Sequence, residues 1–386
     1  HDLWKPLLNR SIMGLYPPGS TFKTSQALTF LSEGIVTPGT AFPCHRGFYY
    51  RGLHVGCHSH PAPIALVDAL STSCNGYFCW GLYYMMGNRK RYRNVQDAMT
   101  TWRDYMVSMG FGYKLGIDLP GEKRGMIPNA DYYDRNYHGS WNGLTIISIS
   151  IGQGEVTLTP LQIANLGATI ANRGYYYVPH VVRKVKGEPL DTLYTRRHQT
   201  KASARAYDYV VAGMRSPCRS LAHYDFEACG KTGTAQNRGH DHSVFMGFAP
   251  MNKPKIAIAV YVENGGWGAD YGVPIGGLMM EQYLHGKLSP ASEAQAAEMQ
   301  KRRIGYGARF VEQKSAKEKA KEAKEKAAKE KAAQAKAVEA AKKKQMAKEA
   351  AKAKVKGKNT KNAKNVRGNA AVAKPRKEPI RIESKQ

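Results

Sequence analysis

The first hydrophobic pattern along the chain predicts a helix over residues 20–33. This segment follows a turn of two prolines and a glycine, and Gly34 directly behind it is a natural helix terminator. Four apolar residues of the segment are available for burial against a core: Phe22, Ala27, Leu28 and Leu31.

A second helix is predicted over residues 161–172. Thr159 is a typical N-cap residue, Pro160 suits the first helical position, and Gly174 lies just past the expected end. The residues at both ends therefore support a helix here.

Two β-rich runs near the end of the apolar region predict a hairpin. Residues 243–249 and 255–262 have strand-like composition, and the loop 250–254 between them begins and ends with proline. Because the predicted helices and the hairpin come from distant parts of the chain, the pattern favours an α+β domain.

The composition changes sharply after residue 288, which predicts two parts. Residues 1–288 contain the apolar and aromatic material of a globular domain, whereas residues 289–386 are mostly Lys, Ala and Glu. From residue 291 onward, 29 Lys and Arg face 11 Asp and Glu, so this part carries +18 of the formal charge of +28. It has helix-forming residues but no apolar stripe, and is expected to be a solvated helix or a disordered tail.

The basic tail does not by itself indicate a nucleic-acid partner. Clustered lysines can bind phosphates, but the stretch 317–333 has no aromatic residue for base stacking. A solvated spacer, or a weak contact with an anionic surface, is the simpler interpretation. No nucleic-acid partner is therefore expected.

The start of the chain predicts a fragment of a longer protein. It has no initiator Met, no basic n-region and no apolar segment of a signal peptide. No window approaches the roughly 18 uninterrupted apolar residues of a membrane span. Any anchor or targeting segment is expected upstream.

A serine and a lysine at the start of the first predicted helix form the first chemical motif. Ser20 and Lys23 lie one turn apart, which places a hydroxyl and an amine on one helix face. A lysine can activate a serine only where burial or nearby cations keep the amine partly neutral. Alone, this S-x-x-K pair is common by chance, and Ser20 could be an ordinary N-cap.

Two further motifs follow in order. In the S-x-N motif, Ser73 could relay a proton and Asn75 could hold a substrate amide. In the K-T-G motif, Lys231 and Thr232 offer a cation and a hydroxyl to a carboxylate, and Gly233 on an edge strand would let a substrate backbone approach. A plain turn and a glycine-containing strand are the structural alternatives.

The three motifs S-x-x-K, S-x-N and K-T-G together indicate a function far more specifically than any one of them, because all three would have to arise by chance and in this order. This set is typical of serine β-lactamases and penicillin-binding proteins. Further stretches agree: Y-P-P-G before Ser20, G-Q-G at residues 152–154 and T-P-L-Q at residues 159–162. Over residues 5–285 the chain resembles the transpeptidase domain of a class B penicillin-binding protein, most similar to the elongation-type penicillin-binding protein 2 family.

The resemblance implies the fold shared by penicillin-binding proteins and serine β-lactamases, an antiparallel sheet with a helical subdomain, here without its first elements. It implies a D,D-transpeptidase that cross-links peptidoglycan stem peptides during cell-wall elongation and is acylated by β-lactams. It further implies the periplasmic face of the bacterial inner membrane, a cell-wall elongation glycosyltransferase as partner, and no cofactor for catalysis.

The resemblance also implies a role for each motif residue. Ser20 would attack the D-Ala-D-Ala carbonyl, Lys23 would be the base, Ser73 would relay the proton to the leaving group, and Asn75 would clamp the acyl amide. Lys231 and Thr232 would hold the terminal carboxylate, and Gly233 and Thr234 would also bind substrate. The backbone N–H groups of Ser20 and Thr234 would form the oxyanion hole.

Two rival functions use the same motifs. A serine β-lactamase would hydrolyse its acyl-enzyme with a carboxylate-activated water, and Glu122 and Glu155 are conceivable bases. A penicillin-sensing or stem-peptide-binding module would bind or acylate without turnover. The G-Q-G and T-P-L-Q context favours the synthase over both.

A cluster of cysteine and histidine suggests a structural zinc site. Cys44, Cys57, His60 and Cys74 would supply the four ligands of a closed Cys₃His site. Some members of the penicillin-binding protein 2 family resemble this in having zinc beside the S-x-N loop. The metal would fix that loop relative to Ser20.

Disulfides are the alternative use of the six cysteines. A Cys44–Cys57 bridge competes with the zinc site, and Cys218 and Cys229 could form a second bridge. Their pairing cannot be deduced from sequence.

Overall fold

The computed structural model describes residues 5–237 and 239–304. The helices in this part are α1 (Arg10–Met13), α2 (Lys23–Ser32), α3 (Leu66–Ser71), α4 (Asn75–Gly87), α5 (Val95–Ser108), α6 (Ala130–Tyr137), α7 (Pro160–Ala171), α8 (Thr192–Thr195), α9 (Ala204–Arg215), α10 (Gly272–His285) and α11 (Pro290–Lys301). Three 3₁₀ turns add Gly19–Phe22, Ile147–Ile151 and Ser216–Leu221. The strands are β1 (Ala41–Phe42), β2 (Gly47–Tyr50), β3 (Leu53–Gly56), β4 (Ile64–Ala65), β5 (Tyr175–Tyr176), β6 (His198–Gln199), β7 (Cys229–Ala235), β8 (His242–Ala249) and β9 (Ile256–Val262).

The largest sheet of the described residues is antiparallel with the order β7-β8-β9. Strands β8 and β9 are the predicted hairpin, which is confirmed. The K-T-G motif lies on β7, with Lys231 opposite Met246 and Thr232 opposite Phe245. It therefore occupies an edge of this sheet, where a further extended chain can pair with it.

Different helices cover the two faces of β8, because side chains alternate along a strand. A Cβ on Gly276 of α10 would lie 2.6 Å from the Phe245 ring, so that face packs against α10. A Cβ on Gly167 of α7 would lie 3.3 Å from Met246, so the other face packs against α7. All eight residues of β8 are buried as a result.

The helical part is built around α2. The predicted burial is confirmed for Phe22, Ala27 and Leu28, while Leu31 is partly buried. The prediction of one helix from residue 20 to 33 is wrong at its start. Gly19 has the left-handed φ of +55°, and the chain makes a 3₁₀ turn before α2 begins at Lys23.

Helix α7 begins as predicted. The Thr159 side chain accepts a hydrogen bond from the N–H of Gln162, and the Gln162 side chain accepts one from the N–H of Thr159. This capping box contributes about 1 kcal/mol to helix stability. Pro160 at the first position lacks the N–H that would otherwise need a partner.

The division into residues 1–288 and 289–386 stays a prediction. Helix α11 lies just beyond this boundary, and the Ser289 N–H before it donates to Glu281 of α10 at 3.2 Å. What the sequence predicts for the tail beyond residue 304 lies outside the described residues. In the described part, no helix combines the length and the apolar character needed to cross a bilayer.

Candidate active site

Ser20 lies in the 3₁₀ turn that precedes α2. The N–H of Gly19 donates to the carbonyl of Gly152 at 3.0 Å, and the Thr21 hydroxyl donates to the carbonyl of Pro18 at 2.7 Å. These bonds fix the backbone on both sides of the serine. Ser20 itself is half-buried.

The G-Q-G segment holds this turn through a close backbone contact. Gly152 has φ +70°, and a Cβ there would collide with the Gly19 carbonyl oxygen and lie 2.7 Å from Cβ of Phe22. Only glycine fits this position without displacing the Ser20 turn.

Replacement of Gly152 by alanine is therefore expected to lower the free energy of unfolding by about 2–4 kcal/mol, from overpacking and left-handed strain. Denaturant titration measures the loss. The matched control is Gly87→Ala at the end of α4, where a Cβ meets no atom within 4 Å. Equal stability of the two variants would show that the contact does not constrain the turn.

Lys23 joins the S-x-x-K and S-x-N motifs. Its fully buried Nζ donates to the carbonyl of Ser73 at 2.7 Å, lies 3.2 Å from the Ser73 hydroxyl and donates to Oδ1 of Asn75 at 2.6 Å. Burial lowers the pKa of Lys23 from its ordinary 10.5 to about 8, although the nearby Cys57 sulfur opposes part of this shift. A useful fraction of the amine is therefore neutral near pH 8.

The backbone conformation of Ser73 is unusual for a residue with a side chain. Its φ is +59°, in the left-handed region, between the end of α3 and the start of α4. The N–H of Ser73 donates to Leu70, and the N–H of Cys74 donates to Ala69 at 2.8 Å. The short connection between α3 and α4 is therefore strained at Ser73. In this conformation the carbonyl and the hydroxyl of Ser73 both face Lys23.

Asn75 begins α4 and is held on several sides. Its Nδ2 donates to the carbonyl of Gly56 at 2.7 Å, and its backbone N–H donates to Sγ of Cys57 at 3.2 Å. The S-x-N loop is thereby tied to the end of β3.

The K-T-G strand packs against the Ser20 turn. A Cβ on Gly233 would lie 3.2 Å from the Pro18 carbonyl oxygen, and one on Gly19 would lie 3.0 Å from the carbonyl oxygen of Thr234. Thr232 is half-buried on the same strand. The structure therefore brings Ser20 close to the strand that carries the third motif.

Lys231 is fully buried beneath this strand, with Nζ donating to the carbonyl of Thr232 at 3.0 Å. Burial holds the pKa of Lys231 well below its usual value, and the nearby charge of Lys23 lowers it further. The two motif lysines are thus close enough to influence each other, and all three motifs converge.

The structure also brings together the four residues of the predicted zinc site, Cys44, Cys57, His60 and Cys74. Their ligand atoms all lie within 4.8 Å of one another, and Sγ of Cys57 is 3.5 Å from Nε2 of His60. A hydrogen bond from Cys74 lowers the pKa of the Cys57 thiol, and the same bond raises the pKa of Cys74. The cluster adjoins Asn75 directly.

Neither of the two disulfides considered from the sequence is formed. All six cysteines are free thiols in the structure, including the pairs Cys44–Cys57 and Cys218–Cys229. The sulfur atoms of Cys44 and Cys57 instead lie in one group with the ligand atoms of Cys74 and His60.

The two carboxylates considered as hydrolytic bases have other partners. Glu122 accepts hydrogen bonds from the backbone N–H groups of Leu115, Gly116 and Ile117. Glu155 accepts one from the Tyr133 hydroxyl at 3.0 Å. Both therefore stabilise loops.

The sequence reasoning missed the loop between β9 and α10. A Cβ on Gly268 would lie 2.8 Å from the Gly233 carbonyl oxygen and 3.0 Å from Cβ of Thr232, so this loop borders the K-T-G strand. Its neighbour Trp267 is 69% exposed, which is unusual for tryptophan. The glycine-rich run at residues 265–268 was the available signal.

Comparisons with known proteins agree with this geometry. The peptidoglycan D,D-transpeptidase MrdA of Acinetobacter baumannii is 34% identical over 297 residues, which are 68% of this chain and 41% of that protein. The chain thus spans about two fifths of the length of this curated relative.

Solved structures give the same result. Pseudomonas aeruginosa penicillin-binding protein 2 matches with a TM-score of 0.64 at 29% identity, covering 75% of this chain and 64% of that chain. Helicobacter pylori penicillin-binding protein 2, solved in complex with MreC, matches with a TM-score of 0.62 at 26% identity. The match covers 74% of this chain and 53% of that chain. The imipenem acyl-enzyme of Mycobacterium tuberculosis penicillin-binding protein A matches with a TM-score of 0.57 at 26% identity. The match covers 74% of this chain and 63% of that chain.

These similarities confirm the resemblance to the penicillin-binding protein 2 family and the predicted transpeptidase fold. Residues 2–281 match the family described as the penicillin binding protein transpeptidase domain, which is well over half of the chain. The chain therefore belongs to the family of penicillin-binding protein transpeptidase domains.

Proposed function

We propose that this chain is the acyl-transfer domain of a peptidoglycan D,D-transpeptidase of the elongation type, which β-lactams acylate. The observation that carries the proposal is the buried Lys23 amine, bonded to both Ser73 and Asn75 beside the Ser20 turn. Residues of all three motifs lie around this turn, which supports a serine acyl-enzyme as the function.

Acylation begins at Ser20. The neutral amine of Lys23 takes the Ser20 proton as Oγ bonds to the carbonyl carbon of the penultimate D-Ala. The backbone N–H groups of Ser20 and Thr234 hold the oxyanion that forms, each donor contributing about 3 kcal/mol. Collapse of this intermediate breaks the C–N bond and leaves an ester on Ser20.

The leaving D-Ala amine must receive a proton, and Ser73 would deliver it. After it has taken the Ser20 proton, Lys23 is an ammonium whose N–H groups can donate to the Ser73 carbonyl, the Ser73 hydroxyl oxygen and the Asn75 amide oxygen. Lys23 would return one proton to Oγ of Ser73 as the Ser73 hydroxyl gives its own proton to the leaving amine. Protons can therefore pass between the two groups. An amine of a second stem peptide then attacks the ester, forms the cross-link and returns Ser20 to its hydroxyl form.

The donor stem peptide would bind along the edge strand β7. Backbone pairing suits an extended peptide, and Gly233 leaves room for close approach. Thr232 would donate its hydroxyl to the terminal carboxylate, and Lys231 beneath the strand would supply positive charge when protonated.

Turnover separates this proposal from its rivals. A donor peptide ending in D-Ala-D-Ala, incubated with an acceptor amine, is expected to give cross-linked product and free D-Ala. A penicilloyl adduct is expected to persist for minutes, because Glu122 and Glu155 are engaged elsewhere. Rapid loss of the adduct would favour a β-lactamase, and labelling without peptide turnover would favour a sensor.

We infer that the longer protein acts at the periplasmic face of the inner membrane, anchored upstream of this chain, together with an elongation glycosyltransferase. The support is the similarity to the Helicobacter pylori protein that was solved in complex with MreC, and to a structure described as a peptidoglycan synthase complex that coordinates polymerization and crosslinking. Peptidoglycan stem peptides and β-lactams are its proposed ligands.

We further propose a structural zinc held by Cys44, Cys57, His60 and Cys74. A tetrahedral Cys₃His site with Zn–S bonds of about 2.3 Å separates its donor atoms by roughly 3.5–3.8 Å. The four donor atoms lie within 4.8 Å of one another, so they fit with a small contraction. The metal would cross-link the loops around Asn75 and take no part in the chemistry.

Purified protein is expected to contain about one zinc per chain by elemental analysis. Cys57→Ser should lose the metal and slow acylation roughly 10–100-fold, because the S-x-N loop loses its support. Cys218→Ser, outside the cluster, is the matched control and should retain zinc. Metal-free wild-type protein that resists alkylation at Cys44 and Cys57 would instead indicate a disulfide.

A further inference from the structure

A second cationic site lies apart from the three motifs. A cavity of about 260 Å³ is lined by three arginines that come from separate segments. Arg103 belongs to α5, Arg124 precedes the short bridge at Met126, and Arg135 belongs to α6. No acidic residue lines this cavity.

None of these guanidinium groups has a partner among the described residues. Arg103, Arg124 and Arg135 make no side-chain hydrogen bond or ion pair there, and Nε of Arg103 is buried without any acceptor. Buried polar atoms are almost always paired, and three like charges around one cavity repel each other. Arg103 is half-buried, and Arg124 and Arg135 are exposed, so solvent screens much of the repulsion between the three charges. The buried Nε of Arg103 is the atom that most lacks an acceptor.

Three carboxylates that lie close in sequence to the lining residues have contacts of their own. Asp104 pairs with Lys201 at 3.1 Å, and Asp134 accepts from the Trp141 indole at 2.6 Å. Asp131 lies 3.5 Å from the amide of Asn129. None of these three carboxylates lines the cavity.

The wall of the cavity is rigid. The carbonyl of Arg124 accepts from the Gln162 side chain at 3.0 Å, and Met126 exchanges two backbone hydrogen bonds with Thr157. Asn129, which also lines the cavity, caps α6 by accepting from the Tyr132 N–H at 2.9 Å. The site is thus preorganised, which reduces the entropic cost of binding.

We propose that this cavity binds a phosphate-bearing ligand through Arg103, Arg124 and Arg135. Guanidinium groups form paired hydrogen bonds with phosphate oxygens, and an anion of two or more charges can neutralise three of them together. A single carboxylate would leave two of the cations unpaired.

Titration calorimetry with inorganic pyrophosphate on the full chain tests the proposal. The wild type is expected to bind, and Arg103→Gln should weaken the affinity roughly 10–100-fold. Arg93→Gln is the matched control, because Arg93 is exposed beside the same helix and the net charge changes equally. Absence of binding, or an equal loss in the control, would overturn the proposal, and so would succinate binding as tightly as pyrophosphate.

Thermal unfolding distinguishes a binding role from a structural one. Without pyrophosphate, Arg103→Gln is expected to unfold at a higher temperature than the wild type, because it removes a buried unpaired group and a repulsive charge. With pyrophosphate in excess, the wild type should gain stability and the variant should not. A variant that is less stable without ligand and still responds to pyrophosphate would contradict the proposal.

Vesicles distinguish the source of the phosphate. The lysine-rich tail is expected to bind anionic vesicles by itself, so the informative quantity is the difference between Arg103→Gln and Arg93→Gln. Weaker binding of only the Arg103 variant to phosphatidylglycerol vesicles would identify a lipid headgroup. Equal binding of both variants, with pyrophosphate binding intact in the wild type, would identify a soluble phosphate compound.

Discussion

A chain in which Ser20 is replaced by alanine is expected to lose all covalent labelling by a fluorescent penicillin. Ser20 is the half-buried hydroxyl of the S-x-x-K motif, whereas the Thr21 hydroxyl is buried and donates to the carbonyl of Pro18. Lys23 is buried and bonded to Ser73 and Asn75. Gel fluorescence after incubation measures the loss. Mass spectrometry of the labelled wild type should locate the adduct on Ser20.

The matched control for this substitution is Ser25→Ala in α2, the helix that follows the Ser20 turn. The Ser25 hydroxyl is buried and donates to the carbonyl of Phe22 at 2.7 Å, so its removal tests helix stability without touching the nucleophile. It is expected to cost about 1 kcal/mol and to leave labelling intact. Persistent labelling of Ser20→Ala would remove Ser20 from the nucleophile role.

The sequence predicted the elements whose signals are local. The capping box of α7 and the hairpin of β8 and β9 depend on neighbouring residues, and both are present. The boundary at Ser20 failed because the left-handed Gly19 packs against Thr234, far away in sequence. Such a contact overrides local helix propensity and leaves no local trace.

The candidate site was predictable only as a set of motifs. The order S-x-x-K, S-x-N and K-T-G named the residues, but the left-handed φ of Ser73 and the burial of Lys23 have no sequence signature. The zinc ligand set was inferred from residue type and family resemblance, and the structure adds that its donor atoms meet.

The arginine cavity illustrates what sequence reading cannot detect. Arg103, Arg124 and Arg135 lie in three segments, and nothing in their spacing marks them as neighbours. Each alone resembles an ordinary surface cation in a basic chain. Only the fold shows that they share one cavity without a counter-charge among its lining residues.

Lys23→Met is expected to slow acylation by penicillin roughly 100–10,000-fold, the usual contribution of a positioned general base. Methionine fills much of the buried space of the lysine stem but cannot accept the Ser20 proton. The pH profile makes the test specific. The wild-type rate should rise as pH increases through about 8, where Lys23 becomes neutral, and then level off. The variant should lose this inflection.

The same substitution should also change how the free energy of unfolding depends on pH. Burial lowers the pKa of Lys23 in the folded protein from 10.5 to about 8, so the unfolded chain binds more protons between these values. The free energy of unfolding of the wild type should therefore increase with pH across this window, and Lys23→Met should lack that increase. A variant that keeps the wild-type inflection in both profiles would assign the titration to another group. Another group would then have to be the general base, because a folded Lys23→Met variant that keeps the wild-type pH dependence of acylation does not use the Lys23 amine.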